Sequence, residues 1–162
     1  MAITWVRLMV YAFEAANLNA ADLFESVGLD IQDLNDSQAG FKQDDLSRLW
    51  REASRASGDP AIGLLMSNSP VVSVFNTFSY GILASENIQS ALARLIRYQR
   101  IIGEAMNASL SEEANGYRLT IRVEGNLEPL AYQGFDGALA IMMTTISWAA
   151  KMEVIPLEIC FL

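Results

Sequence analysis

No histidine occurs anywhere in this chain. That absence removes the commonest general base, the commonest haem ligand and most zinc sites together. The one cysteine, Cys160, cannot close an intrachain disulfide and cannot replace the missing ligands. A single thiol fits a reducing compartment, so a cytoplasmic location is expected. Basic residues are also scarce: 11 Lys and Arg stand against 19 Asp and Glu, a net charge of −8. An acidic domain repels phosphate backbones, so these residues are not expected to hold DNA unaided.

Long apolar runs are missing too. A membrane-spanning helix needs about 20 consecutive apolar residues. The nearest approach, Leu130 to Ala150, is interrupted by Gln133, Asp136, Thr144, Thr145 and Ser147, so no membrane partner is expected. The opening stretch, Met1 to Asn17, carries Arg7 and Glu14 inside its apolar run. It has neither a basic start nor a small-residue cleavage site, which speaks against a signal peptide. There is no glycine-rich phosphate loop. Ser69, Ser79 and Ser85 have no histidine to activate them. The acidic pairs Asp44-Asp45 and Glu112-Glu113 read as a helix start and a turn flank. No catalytic residue, cofactor or metal site is expected. An enzyme working by carboxylates alone would need a second acid facing Asp136.

What remains is a chain able to fold. Its 162 residues are 52% hydrophobic and 19% charged, which suits one domain with a sizeable core and not a disordered segment. Ile3, Val6, Met9, Phe13 and Ala16 recur at helical spacing, predicting a helix over Ile3 to Leu18. Asn19 is placed to cap a short helix from Ala20 to Val27, with Gly28 just beyond it. Residues 29–43 read as a connection with one helical turn near Ile31 to Leu34. Asp44 to Ser57 predicts a helix with acids in its first turn and Gly58 after its last. Asp59-Pro60 opens another short helix through Met66. Val71 to Ala84 is ambiguous. Its start is β-branched and aromatic, while Phe75, Phe78, Ile82 and Leu83 fit a helix better.

Ser85 is placed as the cap of a helix from Asn87 to Ile102, with Ile88, Ala91, Leu92, Leu95 and Ile102 on one face. The period then changes to two, predicting an antiparallel hairpin over residues 105–124 turning at Glu113-Ala114-Asn115-Gly116. A long buried helix over Leu130 to Lys151 and a strand over Leu157 to Leu162 complete the pattern. The expected fold class is α+β: a helical N-terminal half, an antiparallel β-hairpin, a long buried helix and a C-terminal strand.

Four stretches add a resemblance to this reading. They are Leu23-Phe24-Glu25-Ser26-Val27-Gly28-Leu29-Asp30, Gly58-Asp59-Pro60-Ala61-Ile62-Gly63-Leu64, Tyr80-Gly81-Ile82-Leu83-Ala84-Ser85, and Ile88 through Tyr98. In order and spacing they resemble the N-terminal effector domain of AraC-type transcriptional regulators, in the arabinose-binding-domain-like subgroup. Two departures stand out. Glu86-Asn87-Ile88 replaces the usual Pro-Thr-Leu, and Val71 to Thr77 is more β-branched than the family pattern. The resemblance implies a regulator that binds a small effector and forms a homodimer. It implies that DNA is contacted only through a C-terminal helix-turn-helix domain absent from this sequence. Residues 1–162 are then one effector-binding and dimerisation domain. A module that dimerises without any small-molecule pocket is the alternative.

The candidate ligand-binding residues are Gln99, Tyr98, Tyr80, Phe75, Gln133 and Asp136. Gln99 falls within the apolar arc of its helix, where a buried amide must find partners. It is either a satisfied core glutamine or a group that bonds the effector. Tyr98 borders the same arc and offers an aromatic wall with a polar tip. Arg94, Arg97 and Arg100 form a basic stripe that reads as a solvated face or as a contact for an acidic partner. On the long helix Gln133, Asp136, Thr144, Ser147 and Lys151 form a narrow polar seam. That seam is either one solvent-facing edge or a cavity lining. Gly134 and Gly137 predict close packing of this helix against a neighbour, because glycine otherwise weakens a helix.

Overall fold

A computed structural model describes residues 3–36, 39–69, 84–102, 106–123 and 129–160 of the chain. The N-terminal half is helical. Helix α1, Ile3–Ala15, buries Val6, Leu8, Met9, Ala12 and Phe13. Asn17 stops it in a left-handed conformation with φ 60°. The Asn17 N–H donates to Glu14 O at 2.9 Å and the Leu18 N–H to Phe13 O at 2.9 Å. Those two bonds satisfy carbonyls that the helix end leaves bare. Helix α2, Ala20–Ser26, begins with Asn19 Oδ1 accepting from the Ala21 N–H at 3.0 Å, as its sequence predicts. It closes at Gly28, with φ 76°, by the same pair of bonds: the Gly28 N–H donates to Glu25 O at 3.0 Å and the Leu29 N–H to Phe24 O at 2.9 Å. A 3-10 turn, Ile31–Asn35, follows the expected position and is tied to α1 by Arg7 Nη2 donating to Leu34 O at 2.8 Å.

Helix α3, Gln43–Ser57, has Asp44 and Asp45 in its first turn and a left-handed Gly58 after its last residue. Leu46, Leu49, Trp50 and Ala53 face the core. The short helix expected from Pro60 forms later and tighter. It is a 3-10 helix, Ile62–Asn68, and Asp59 Oδ1 accepts from the Ala61 N–H at 2.8 Å ahead of it. A segment this short is held by i to i+3 bonds, such as Leu64 N–H to Ala61 O at 2.9 Å. Tyr11 OH donates to Asn68 O at 2.9 Å and joins its far end to α1. The ambiguous segment from Val71 lies outside the described residues, apart from Ala84.

Helix α4 spans Ile88–Ile102. Its cap is Asn87, whose Oδ1 accepts from the Ser90 N–H at 2.8 Å, not the Ser85 predicted from sequence. Both residue types suit a cap; Asn87 immediately precedes the first helical residue, so its side chain reaches the first turn. Strands β1, Met106–Glu113, and β2, Gly116–Val123, pair antiparallel in the register Ala108 with Ile121 and Leu110 with Leu119. The turn differs in detail from the Asn-Gly reading. Ala114 and Asn115 are its two central residues, neither has positive φ, and Gly116 opens β2 with φ 148°.

Helix α5 runs Tyr132–Ala150. Its burial is less complete than the sequence predicts. Gly137, Ile141 and Ile146 are buried, most other positions are half-buried, and Tyr132 and Trp148 are exposed. Helix α5 packs on the second 3-10 helix and on α3 along one side, and Ile141 joins the main core. Met142 turns the other way, toward Ala91 and Ile96 of α4. An apolar pattern that runs round much of the helix serves two neighbours and so looks fully buried on paper. The expected terminal strand does not form over 157–160, and 161–162 lie outside the described residues. Its alternating pattern has no hydrogen-bonded partner strand among the described residues, and Leu157 and Ile159 are exposed. The fold class is α+β, with a helix-rich first half and, among the described residues, one hairpin.

The main core gathers α1, α2, α3 and both 3-10 segments around Phe13, Phe24 and Trp50. Phe13 meets Trp50 edge to face with centroids 5.1 Å apart, and Phe24 meets Phe41 likewise at 6.2 Å. Such pairs contribute roughly 0.5–1.5 kcal/mol beyond the area they bury.

Candidate functional site

Of the described glycines, those with the least room lie where α5 crosses the second 3-10 helix. Three glycines make it possible. A Cβ on Gly63 would stand 1.9 Å from the backbone O of Gln133. One on Gly137 would stand 2.3 Å from Met66 Sδ and 3.0 Å from Gly63 O. One on Gly134 would meet the Trp50 indole at 3.3 Å. The neighbour predicted for Gly134 and Gly137 is therefore the 3-10 helix together with Trp50 of α3. Gly63 is the second glycine of the stretch Gly58 to Leu64, so that motif encodes a backbone approach as well as a helix boundary. A further clamp lies just ahead of α5, where Arg51 Nη1 of α3 donates to Pro129 O at 2.8 Å.

This crossing fixes the first turns of α5 and with them Gln133 and Asp136. Both are half-buried, and they lie three residues apart, on neighbouring positions of the helix surface. The Asp136 carboxyl is pushed above the usual carboxylate range, because partial burial penalises its charged form. Desolvation is the cause of that shift, and among the described residues no cation offsets it. The rest of the polar seam divides. Thr144 and Lys151 are exposed. Ser147 is half-buried, and its Oγ accepts from the Val154 N–H at 3.0 Å. Ser147 therefore fastens the segment after α5, while Gln133 and Asp136 hold the half-buried end of the seam.

Tyr98 stands exposed on α4. Gln99 lies in the same helix, but its side chain is outside the described residues, as is that of Arg100. Arg94 and Arg97 are exposed. Tyr80 and Phe75 also lie outside the described residues. Of the six candidate ligand-binding residues, the structure thus brings Gln133 and Asp136 together.

Two buried hydroxyls were not foreseen as such from sequence, where Ser69 was weighed only as a nucleophile. Ser47 Oγ and Ser69 Oγ are enclosed and have no hydrogen-bond partner. Ser47 sits on α3 one turn before Trp50, and Ser69 follows the second 3-10 helix. A helical wheel places Ser47 at the border of the apolar stripe, which is the only signal the sequence offers. An unsatisfied buried hydroxyl costs about 1–3 kcal/mol. Among the described residues no group of three or more His, Cys, Asp or Glu could hold a metal ion. No described helix is long and apolar enough to cross a membrane.

No curated protein matches the chain. Residues 18–162 match the family model of the arabinose-binding domain of AraC transcription regulators, the N-terminal domain of those proteins. That stretch takes in α2, the glycine crossing, α4, the hairpin and α5. The chain belongs to the family of arabinose-binding N-terminal domains of AraC transcription regulators.

Proposed function

We propose that this domain senses a small effector in the cytoplasm, dimerises, and so controls DNA binding by a helix-turn-helix domain of the same regulator. It performs no catalysis. Family membership over residues 18–162 supports the regulatory role. The observation that carries the ligand site is the pair Gln133 and Asp136, half-buried on α5, with the carboxyl raised by desolvation. Polar groups partly held out of water favour a ligand that supplies hydrogen-bond partners. Gln99, Tyr98, Tyr80 and Phe75 complete the proposed set.

The mechanism follows from where α5 sits. One side of the helix is locked to the second 3-10 helix through the glycines, and Met142 on another side meets α4. A ligand on Gln133 and Asp136 therefore bears on both bodies. If it binds one arrangement of them more tightly, it shifts the population of the dimer toward that arrangement.

A thermal-shift screen over sugars, amino acids, fatty acids and aromatic acids tests this reading. A true effector at a hundred times its dissociation constant stabilises the domain by about 2.7 kcal/mol. Asp136→Asn is expected to weaken that effect while leaving the fold intact. A folded domain that responds to no class, in a full-length regulator whose operator affinity no metabolite changes, refutes it.

A further inference from the structure

The cations of this chain all sit at its surface, and one of its acids does not. Of the 11 Lys and Arg, all but Arg100, whose side chain lies outside the described residues, are exposed. The segments outside the described residues contain no Lys or Arg. Most described acids are exposed as well. The half-buried ones are Asp44, Asp45, Glu52 and Asp136. Asp44 and Asp45 stand in the first turn of α3, where the helix dipole favours negative charge, and Asp45 also pairs with Arg48. Glu52 pairs with Arg55. Asp136 has neither arrangement, because it lies beyond the first turn of α5, and among the described residues no cation offsets its desolvation.

The elements around Asp136 explain this. From Gln133 to Met143 no residue of α5 is exposed. Its neighbours three and four positions away on the helix surface are Tyr132, Gln133, Leu139 and Ala140, none of them charged. The second 3-10 helix, on which α5 packs, carries no charged side chain. On α3, Arg48 and Arg55 hold acids of their own helix and Arg51 holds Pro129 O. On α4, Arg94 and Arg97 are exposed. Lys151 is at the far end of α5, about 22 Å along the axis.

A carboxylate partly withdrawn from water costs free energy unless a cation meets it. A ligand that brings a cation relieves that cost. A ligand acid adds a second like charge, and a neutral hydroxyl does not neutralise the first. A metal ion would need more ligands, and among the described residues no group of three or more His, Cys, Asp or Glu could hold one. We infer that the effector is an organic cation, whose ammonium or guanidinium group donates to the Asp136 carboxylate and the Gln133 amide oxygen while an apolar body lies along Leu139 and Ala140. The net charge of −8 draws such a ligand toward the domain. This rests on the effector reading above and narrows the ligand to one chemical class.

Probes of equal length isolate the charge: pentylammonium, pentylguanidinium, pentanol and pentanoate, with L-arabinose as a neutral sugar. Isothermal titration calorimetry on the whole chain, at fixed ionic strength, is expected to show binding of the two cations and not of the alcohol or the acid. Asp136→Asn should weaken cation binding about tenfold or more. Glu25→Gln, which removes an exposed acid of α2, should leave it unchanged, and circular dichroism confirms that both variants are folded. Cation binding at parental strength in Asp136→Asn overturns the inference, because the attraction is then general to an acidic surface. So does binding of pentanol, pentanoate or L-arabinose in place of the cations, an outcome that leaves the effector reading standing. Failure of both cations to bind also overturns it, and the wider thermal-shift screen with operator affinity then judges the effector reading separately.

Discussion

Gly63 leaves no room for a side chain, because the Gln133 carbonyl occupies the place of a Cβ. Backbone cannot swing aside as a flexible side chain can. Gly63→Ala should therefore push α5 away from the 3-10 helix and destabilise the domain by about 3 kcal/mol or more, read from equilibrium urea unfolding. A loss below about 1 kcal/mol would mean that the crossing gives way easily. Asp136 makes a different kind of demand. Its folded-state pKa lies above that of the unfolded chain, so the folded state holds the proton more tightly. Stability is then lost as pH rises through the carboxylate range and recovered as it falls. Asp136→Asn should be more stable than the parent at neutral pH, and the difference should shrink once the pH drops below that range. A difference that stays constant with pH would assign the effect to something other than this carboxyl.

Element ends show how unevenly local chemistry is written into the chain. Asn17 and Gly28 both end helices in left-handed backbone, and both are residue types that tolerate it. Lys151 ends α5 in the same way without that tolerance. Lys151→Gly should relieve the cost of a left-handed side chain, which outweighs glycine's extra entropy in the unfolded chain, for a net gain of about 0.5–1 kcal/mol. A rise in Tm checks it; a fall would mean that the lysine side chain contributes more than the strain costs. The hairpin was legible from its period-two pattern, and its register matches that pattern residue for residue, Ala108 to Ile121 and Leu110 to Leu119. Its turn was less so. Asn-Gly signals a reversal without saying which two residues occupy the centre, and Ala114 and Asn115 took it. At α4 the sequence offered two good capping residues, Ser85 and Asn87. The position of the first helical turn selected between them.

At the scale of the molecule, α5 joins the N-terminal core, through Ile141, to α4, through Met142. Periodicity along the chain dictated the helices, the hairpin and the α+β class, because those depend on residues close in sequence. It also marked Gln133 and Asp136 as polar positions in an apolar helix, and Gly134 and Gly137 as points of close approach. Tertiary structure alone decided what they approach. Nothing near Gly63 in sequence reveals that the Gln133 carbonyl, seventy residues on, fills its missing side chain. The same holds for Ser47, whose burial depends on neighbours brought in by other elements. It holds for Leu157 to Cys160, whose alternating pattern suits a strand but finds no hydrogen-bonded strand among the described residues. Local pattern sets what a segment is able to become, and only contacts between distant segments determine whether its polar groups and apolar faces are satisfied.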